Sequence, residues 1–434
     1  MSSRLPVGWH FEPIHRVARV VSGGTPSRYV PEFWKGGTVP WVTPTDITGT
    51  TGRYLSETRE QITERGLRSC STTLLPPGSL LMTSRATLGE IRIATREVCT
   101  NQGFKSLVPN DGTDGDFLYY QMLRSKERYK SFGIGSTFLE VNKKDTERFE
   151  LLVAPSEEQP RIAKILSTID EAIEQTEALI AKTQAIKAGL MHDLFTRGVT
   201  PDGKLRPPRE EAPKLYKESP LGWIPKEWDA ITLGEMSNLV TSGSRGWAAY
   251  YSDEGAIFLR IGNLTREHPN LRLIDIVNVQ PPKSSEGQRT RLVEDDLLIS
   301  ITADLGIAGV VPADLGEAYV NQHIALVRLK PELAASRWLG HWFGGLKAQT
   351  LISRLGDSGA KAGLNLLTIR SFSAALPPLD EREIAVSRLD VADEAIRSAR
   401  ISVQKLESYK YGLMHDLLTG RVRVPADERD KVMA

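Results

Sequence analysis

Three stretches of this 434-residue chain carry residue types able to do chemistry. The segment GVTPDGK (Gly198–Lys204) spaces two glycines and a lysine as a phosphate-cradling loop would. Leu205 stands where such a loop needs a metal-binding hydroxyl, and Pro201 breaks the required strand–loop–helix context. Asp202, Glu211 and Lys214 supply the acids and lysine of a metal-dependent nuclease, but at the wrong spacing and on a Pro-rich stretch that is no scaffold. His192-Asp193 and His415-Asp416 suggest acid–base dyads, yet helical neighbours point about 100° apart and do not face each other. His10, His15, His268, His323 and His341 are scattered without a shared partner, and no Cys/His spacing suits zinc. There is no glycine-rich fingerprint for a dinucleotide or S-adenosyl cofactor, and no Asn-Pro-Pro-aromatic run for adenine methylation. The expectation is a non-catalytic chain with no metal site and no cofactor of its own.

The elements around these residues are more informative. GLMHDL occurs at Gly189–Leu194 and again at Gly412–Leu417. The match extends through both halves. Pro6–Trp9 aligns with Pro225–Trp228, and Val20–Gly24 with Leu239–Gly243 at an offset of 219. Val39–Ile47 aligns with Ala256–Leu264, Gly78–Ile91 with Asp295–Ala308, and Asn101-Gln102 with Asn321-Gln322. Ser156–Gln175 then matches Asp380–Ser398. The order is constant while the offset drifts by a few residues, as loop insertions produce. The chain is two copies of one module.

Each module changes texture midway. Residues 1–155 and 219–378 mix short apolar runs (SLLMTS, EIRIAT and FKSLV; LLISI, AGVVP and HIALVRL) with Gly, Pro, Asn and Asp turns. They predict strands, with helices near Phe117–Arg128 and Arg337–Leu351. Residues 156–197 and 379–420 each predict one long helix, opened by the capping-box spacings Ser156–Gln159 and Asp380–Glu383. Ile162, Leu166, Ile169, Ile173, Thr176, Ile180, Thr183, Leu190 and Leu194 recur at steps of four and three. Ala385, Leu389, Ala392, Ile396, Ala399, Val403, Leu406, Leu413 and Leu417 keep the same rhythm. That period of about 3.5 residues is a coiled-coil seam. The alternative is two separate amphipathic helices, each packed on its own head. Residues 198–218 predict an extended polar linker, and 421–434 a tail. The fold class is therefore α+β: two tandem mainly-β/α+β heads, separated and followed by long helices that pair as an antiparallel coiled coil.

Composition excludes other classes. Cys70 and Cys99 make no disulfide framework, which fits a reducing compartment. No apolar run is long enough to cross a bilayer, and MSSRLPVGWH lacks a signal-peptide core, so the expected setting is cytoplasmic, away from membranes. The net charge of +1 does not advertise nucleic acid. Residues 1–155 hold 20 Lys and Arg against 16 Asp and Glu, and residues 219–378 hold 15 against 16. The second head must therefore rely on a few well-placed cations.

Two similar heads on rods of about 60 Å suit a long repetitive ligand, with B-DNA the obvious candidate. If the rods pair antiparallel, the heads sit at opposite ends, and unlike heads read unlike half-sites. Here SPLGWIPKEW, the Asn-Gln pairs, LPPLDERE and LMHDLLTGRV resemble the specificity subunit of type I restriction–modification systems, across essentially the whole chain. LPVGWHFEPI departs from the Gly222–Pro225 spacing, which leaves the start of the first domain less sharply marked. The resemblance implies target recognition domains that each read one half of an asymmetric bipartite site in double-stranded DNA, with the helices as a ruler. It implies docking of two methyltransferase subunits and, beyond them, restriction subunits with ATP-dependent motor and nuclease activity. S-adenosylmethionine, ATP and Mg are then expected on those partners. The solvated faces carrying Glu171, Glu174, Glu177 and Lys182 are where partner helices would pack.

Candidate DNA-contacting residues lie in equivalent loops: Thr43, Thr45, Arg85, Ser136, Thr137 and Lys143 in the first head. In the second they are Arg245, Arg260, Asn263, Lys361 and Asn365. The Gly-rich stretches Gly133–Thr137 and Gly356–Gly363 would let backbone approach phosphate. Trp9 and Trp228, at the module starts, are expected as core anchors. Rival readings are a nuclease or methyltransferase with an unrecognised site, and a coiled-coil scaffold with two protein-binding heads.

Overall fold

The computed structural model describes residues 5–85, 87–134, 139–282, 285–356 and 363–424. They form two compact units, Met1–Ala178 with Arg400–Ala434, and Leu179–Ala399. Each unit holds one head and portions of both long helices, whereas the sequence boundaries assign each helix whole.

In the first unit a five-stranded sheet runs in the order Ala18–Ser22, Lys105–Pro109, Leu80–Met82, Ile91–Ala94, Tyr54–Leu55. Beside it lies a three-stranded sheet, Glu60–Ile62, Val39–Val42, Cys99–Thr100, whose last pair is parallel. The second unit repeats the plan with Ser237–Ser242, Ile324–Leu329, Leu297–Ser300 and Ala308–Val310. Its smaller sheet is Tyr251–Ser252, Val277–Val279, Ala256–Leu259 and Ala318–Val320, again with a parallel last pair. Register corrects the alignment by one residue. Ser22 faces Lys105 and Ser242 faces Ala325, so Gly23, not Gly24, is the counterpart of Gly243.

The central strands are apolar on both faces because both are covered. Leu80 and Met82 pack with Phe117 of the helix Gly115–Arg124, while Leu81 packs with Val42 of the small sheet. In the second unit Leu297 and Ile299 pack with Trp338, and Leu298 with Leu259 and Val320. Alternation of side chains along the strand produces this division. The expected helices near Phe117–Arg128 and Arg337–Leu351 are each broken in two, as Gly115–Arg124 with Lys126–Lys130, and Ser336–Gly344 with Leu346–Gly356.

The long helices are Gln159–Thr196 and Leu379–Leu417, of 38 and 39 residues. Every seam position is buried or half-buried, whereas Leu179 and Ile186, off the seam, are 55% and 57% exposed. Neither expected capping box governs its helix start. Gln159 Nε2 donates to the Ala154 carbonyl and its Oε1 accepts from the Asp114 amide, and Glu158 pairs with Arg423. Glu381 accepts from Arg206 and the Val199 amide. At the first helix tertiary partners have taken the Gln159 side chain, and the second helix already begins at Leu379, ahead of Asp380.

The repeated GLMHDL marks a docking plug. In the second unit Leu194 and Phe195 enter the core around Trp228, which is fully buried. In the first unit Leu417 and Leu418 do the same around Trp9. Gly198 and Gly420 follow these helix ends with φ of +62° and +71°, and each abuts the corresponding indole. A left-handed turn against a ring leaves room for glycine alone. Trp9 meets Phe117 edge-on at 6.4 Å, and Trp228 meets Trp338 likewise at 5.7 Å, so both tryptophans are the core anchors expected.

The expected linker is not a free connector. Val199, Arg206 and Tyr216 are buried, and Tyr216–Ser219 pairs with Gly222–Pro225 as a hairpin. Arg206 is held by Glu381, so this stretch belongs to the second unit. Among the described residues no helix is long and apolar enough to cross a membrane.

Candidate nucleic-acid interface

In each head several strands end at one place, and the Asn-Gln turn is its hub. In the first, Asn101 N donates to the Val42 carbonyl (3.0 Å), Gly24 N to Thr100 (2.9 Å) and Ser84 N to Gly103 (2.8 Å). In the second, Asn321 N donates to Leu259 (3.1 Å), Gly243 N to Asn321 (3.2 Å) and Ile301 N to His323 (3.0 Å). Asn101 Oδ1 accepts from the Gly103 amide and Asn321 Oδ1 from the His323 amide, so both asparagines brace the turn. The glutamines that follow are less enclosed. Gln102 is exposed and accepts from Thr25, and Gln322 is half-buried beside His323 at 3.0 Å.

The hub is shared, but its surroundings differ. Around Gly103 lie Pro44 and Arg85; in the second head the Gly103 position is His323, whose Nδ1 is 2.8 Å from Thr302 Oγ1. Lys105 is buried at the edge of the first hub, 3.6 Å from Glu140, which also approaches Arg85 at 4.0 Å. Burial lowers the Lys105 pKa, and the Glu140 carboxylate only partly opposes this.

The candidate residues sort accordingly. Thr43, half-buried, and Thr45, exposed, flank Pro44 at the rim of the first hub, and Arg85 lies against it. Thr43 Oγ1 is already committed to Asp46 Oδ2, at 2.7 Å. Ser136 and Thr137 lie outside the described residues, as does Lys361. Among the described residues Arg85 bridges Glu140 and Thr302 bridges Gly363. Lys143 opens a short helix and pairs with Glu147 at 3.7 Å, and Asn365 caps Leu366–Ser371. Arg245 is exposed on the loop after Gly243. Asn263 is withdrawn as a DNA contact. It is 3% exposed, Oδ1 accepts from Arg260 N, and Nδ2 donates to the Arg272 carbonyl at 2.8 Å, so its amide is spent on the backbone. Arg260 instead lines an open cleft with Arg272, Asp275 and His323. The sequence had aligned the Asn-Gln pairs, but Gln102, Gln322, His323 and Arg272 were not among its candidates.

Gly23 and Gly243 make the hub possible. A Cβ at either position would collide with a carbonyl of the hub segment, Asn101 O or Val320 O. We expect Gly243→Ala to displace the second turn at a cost of about 1–3 kcal/mol. Methylation mapping should then show weakened selection at the second half-site and an unchanged first.

No His–Asp dyad forms at the helix ends. Asp193 faces Arg197 at 3.3 Å, and His415 lies 2.6 Å from Arg421.

Residues 6–184 match the family model described as the type I restriction modification DNA specificity domain. The type I restriction enzyme MjaIX specificity subunit of Methanocaldococcus jannaschii is 30% identical over 267 residues, 61% of this chain. That match spans 60% of the relative's own length, under two thirds. The MjaVIII specificity subunit of the same organism is 25% identical over 351 residues, 80% of this chain and 79% of that one. Among solved structures, the type I restriction–modification S subunit from M. genitalium shares the fold with a TM-score of 0.61, over 98% of both chains at 14% identity. A chain from a study of complex assembly and conformational transition in the type I R-M system gives 0.53 at 18% identity, covering 96% of this chain and 100% of its own.

Proposed function

We propose that this chain is a type I restriction–modification specificity subunit, the non-catalytic reader of an asymmetric bipartite DNA site, since residues 6–184 match that family's DNA specificity domain. Each head reads one half-site through the face built on its Asn-Gln hub. The observation that carries this reading is the duplicated hub itself. Two main-chain bonds recur, Asn101 N to Val42 O as Asn321 N to Leu259 O and Ser84 N to Gly103 O as Ile301 N to His323 O, while Thr25, Arg85 and Gly103 surround one turn and Thr302 and His323 the other. A constant scaffold with changed side chains suits two readers of different sequence.

The long helices set the spacing as an antiparallel coiled coil. Lys187 Nζ pairs with Asp393, and Lys410 Nζ with Asp170 at 2.6 Å, each joining the end of one helix to the beginning of the other. The exposed helix faces dock two methyltransferase subunits, and restriction subunits complete the complex. S-adenosylmethionine, ATP and Mg act on those partners in the cytoplasm, and base flipping for methylation is the partner's task.

Four residues inserted in register into both helices test the ruler. They lengthen it by about 6 Å, close to two base pairs at ~3.4 Å each. Single-molecule methylation mapping of cells carrying the altered chain should show the same half-sites moved apart. An unchanged spacer would refute the ruler.

A further inference from the structure

The second head has no overall positive charge, and four of its ten arginines are internally committed. Arg266 pairs with Asp304, Arg328 with Asp296 at 2.7 Å, and Arg337 with Asp390 at 2.7 Å. Arg289 is spent on Thr241, Ser242 and Ser244. Arg260 and Arg272 differ. Among the described residues neither makes an ion pair, and both line one open cleft of about 450 Å³. Arg260 Nη2 donates only to the Asp275 carbonyl (3.0 Å), and its Nε is buried without a hydrogen-bond partner. Asn263 fixes both arginine backbones, accepting from Arg260 N and donating to the Arg272 carbonyl. The remaining groups with titratable side chains in the cleft are Asp275 and His323, which leaves the cations in excess even with neutral histidine. Ile274, 68% exposed, adds an apolar lining beside them.

We propose that Arg260 and Arg272 form a phosphate clamp on the second head, gripping the DNA backbone rather than reading a base. This rests on the DNA-reading proposal and assigns the cleft within it. Two guanidiniums on a braced backbone present a fixed fork of donors to an oxyanion. A backbone contact sets register and orientation without carrying sequence. The first head has no such pair at the equivalent place, where uncharged Thr43 is closed onto Asp46. The heads therefore grip DNA differently.

The test uses the full chain, a 40-bp duplex of arbitrary sequence, and tripolyphosphate as a phosphate probe without bases. Replacing both residues (R260M with R272M) should lower the slope of log affinity against log salt by about 2, one for each lost phosphate contact. The paired lysine replacements keep the charges and should retain most of the slope. In the assembled methyltransferase the methionine variant should methylate more weakly but at the same second half-site. Tripolyphosphate should raise the melting temperature of the parent chain and not of the methionine variant. An altered half-site would make these residues base readers and overturn the clamp. An unchanged slope, or tripolyphosphate protection equal in parent and variant, would also overturn it. If the parent chain binds no duplex in any assembly yet tripolyphosphate protects it through these arginines, the anion site stands and the DNA-reading proposal falls.

Discussion

Lys187→Met is expected to destabilise the second unit by about 3–5 kcal/mol, lowering its melting temperature by roughly 6–20 °C. The side chains of Lys187 and Asp393 are 8% and 4% exposed, so neither charge has water as an alternative partner. Lys187 also donates to the Glu267 carbonyl, tying helix, helix and head loop at one nitrogen. Without it, Asp393 would be left buried beside Asp390 and His341, with Oδ2 already lacking a hydrogen bond. His341 cannot readily supply the missing charge, because burial lowers its pKa against the pull of both aspartates. Replacing both partners together (K187M with D393L) should recover most of the loss, since the penalty comes from the orphaned carboxylate rather than from the bond. Lys410→Met, at the matching place in the first unit, should cost less. Lys410 is 23% exposed, and Asp170 keeps a second partner in Tyr120, whose hydroxyl donates to it at 2.5 Å. Calorimetry of the three variants decides this; equal losses from the single and double changes at Lys187 would refute the account.

Exchanging the first head for one from another specificity subunit should replace one half-site completely and leave the other unaltered. The core of each unit sets the conditions. Leu417, Leu418 and Gly420 pack on Trp9 of the first head, so residues 1–155 alone are not a self-sufficient graft. A donor head fused at 155 but facing the native helix end would meet a plug shaped for another indole. The graft should therefore carry its own equivalent of residues 413–424, which includes Arg423 opposite Glu158. Built that way, the chimera should show a new first half-site on methylation mapping, and loss of both halves would count against independent readers. A graft lacking the donor helix end should fold poorly, detectable as a lower first-unit melting temperature.

Both experiments turn on features of unequal visibility in the sequence. The duplication, the strand runs, the two long helices and the tryptophan anchors were legible because each is a local pattern. Leu80–Met82 and residues 297–299 are apolar throughout, and the helical seam recurs every three or four residues. GLMHDL announced that the chain was doubled, but its purpose was not local. Leu194 and Leu417 look like further seam residues, and only the tertiary structure makes them plugs for the heads around Trp228 and Trp9. The linker looked free because it is polar and rich in proline, yet Glu381, 175 residues away, buries Arg206.

The site divides in the same way. The sequence by itself determined that there are two unlike heads and that loops after the strands carry the candidate contacts. It also aligned Asn101-Gln102 with Asn321-Gln322, because identity at a constant offset needs no coordinates. The tertiary structure decided which polar groups are free. Asn263 was lost to the backbone it braces, and Arg272 emerged beside Arg260 on the cleft, 12 residues along the chain from it. A side chain's type states what it can bond, whereas the bonds it has already made depend on neighbours that folding alone brings within reach.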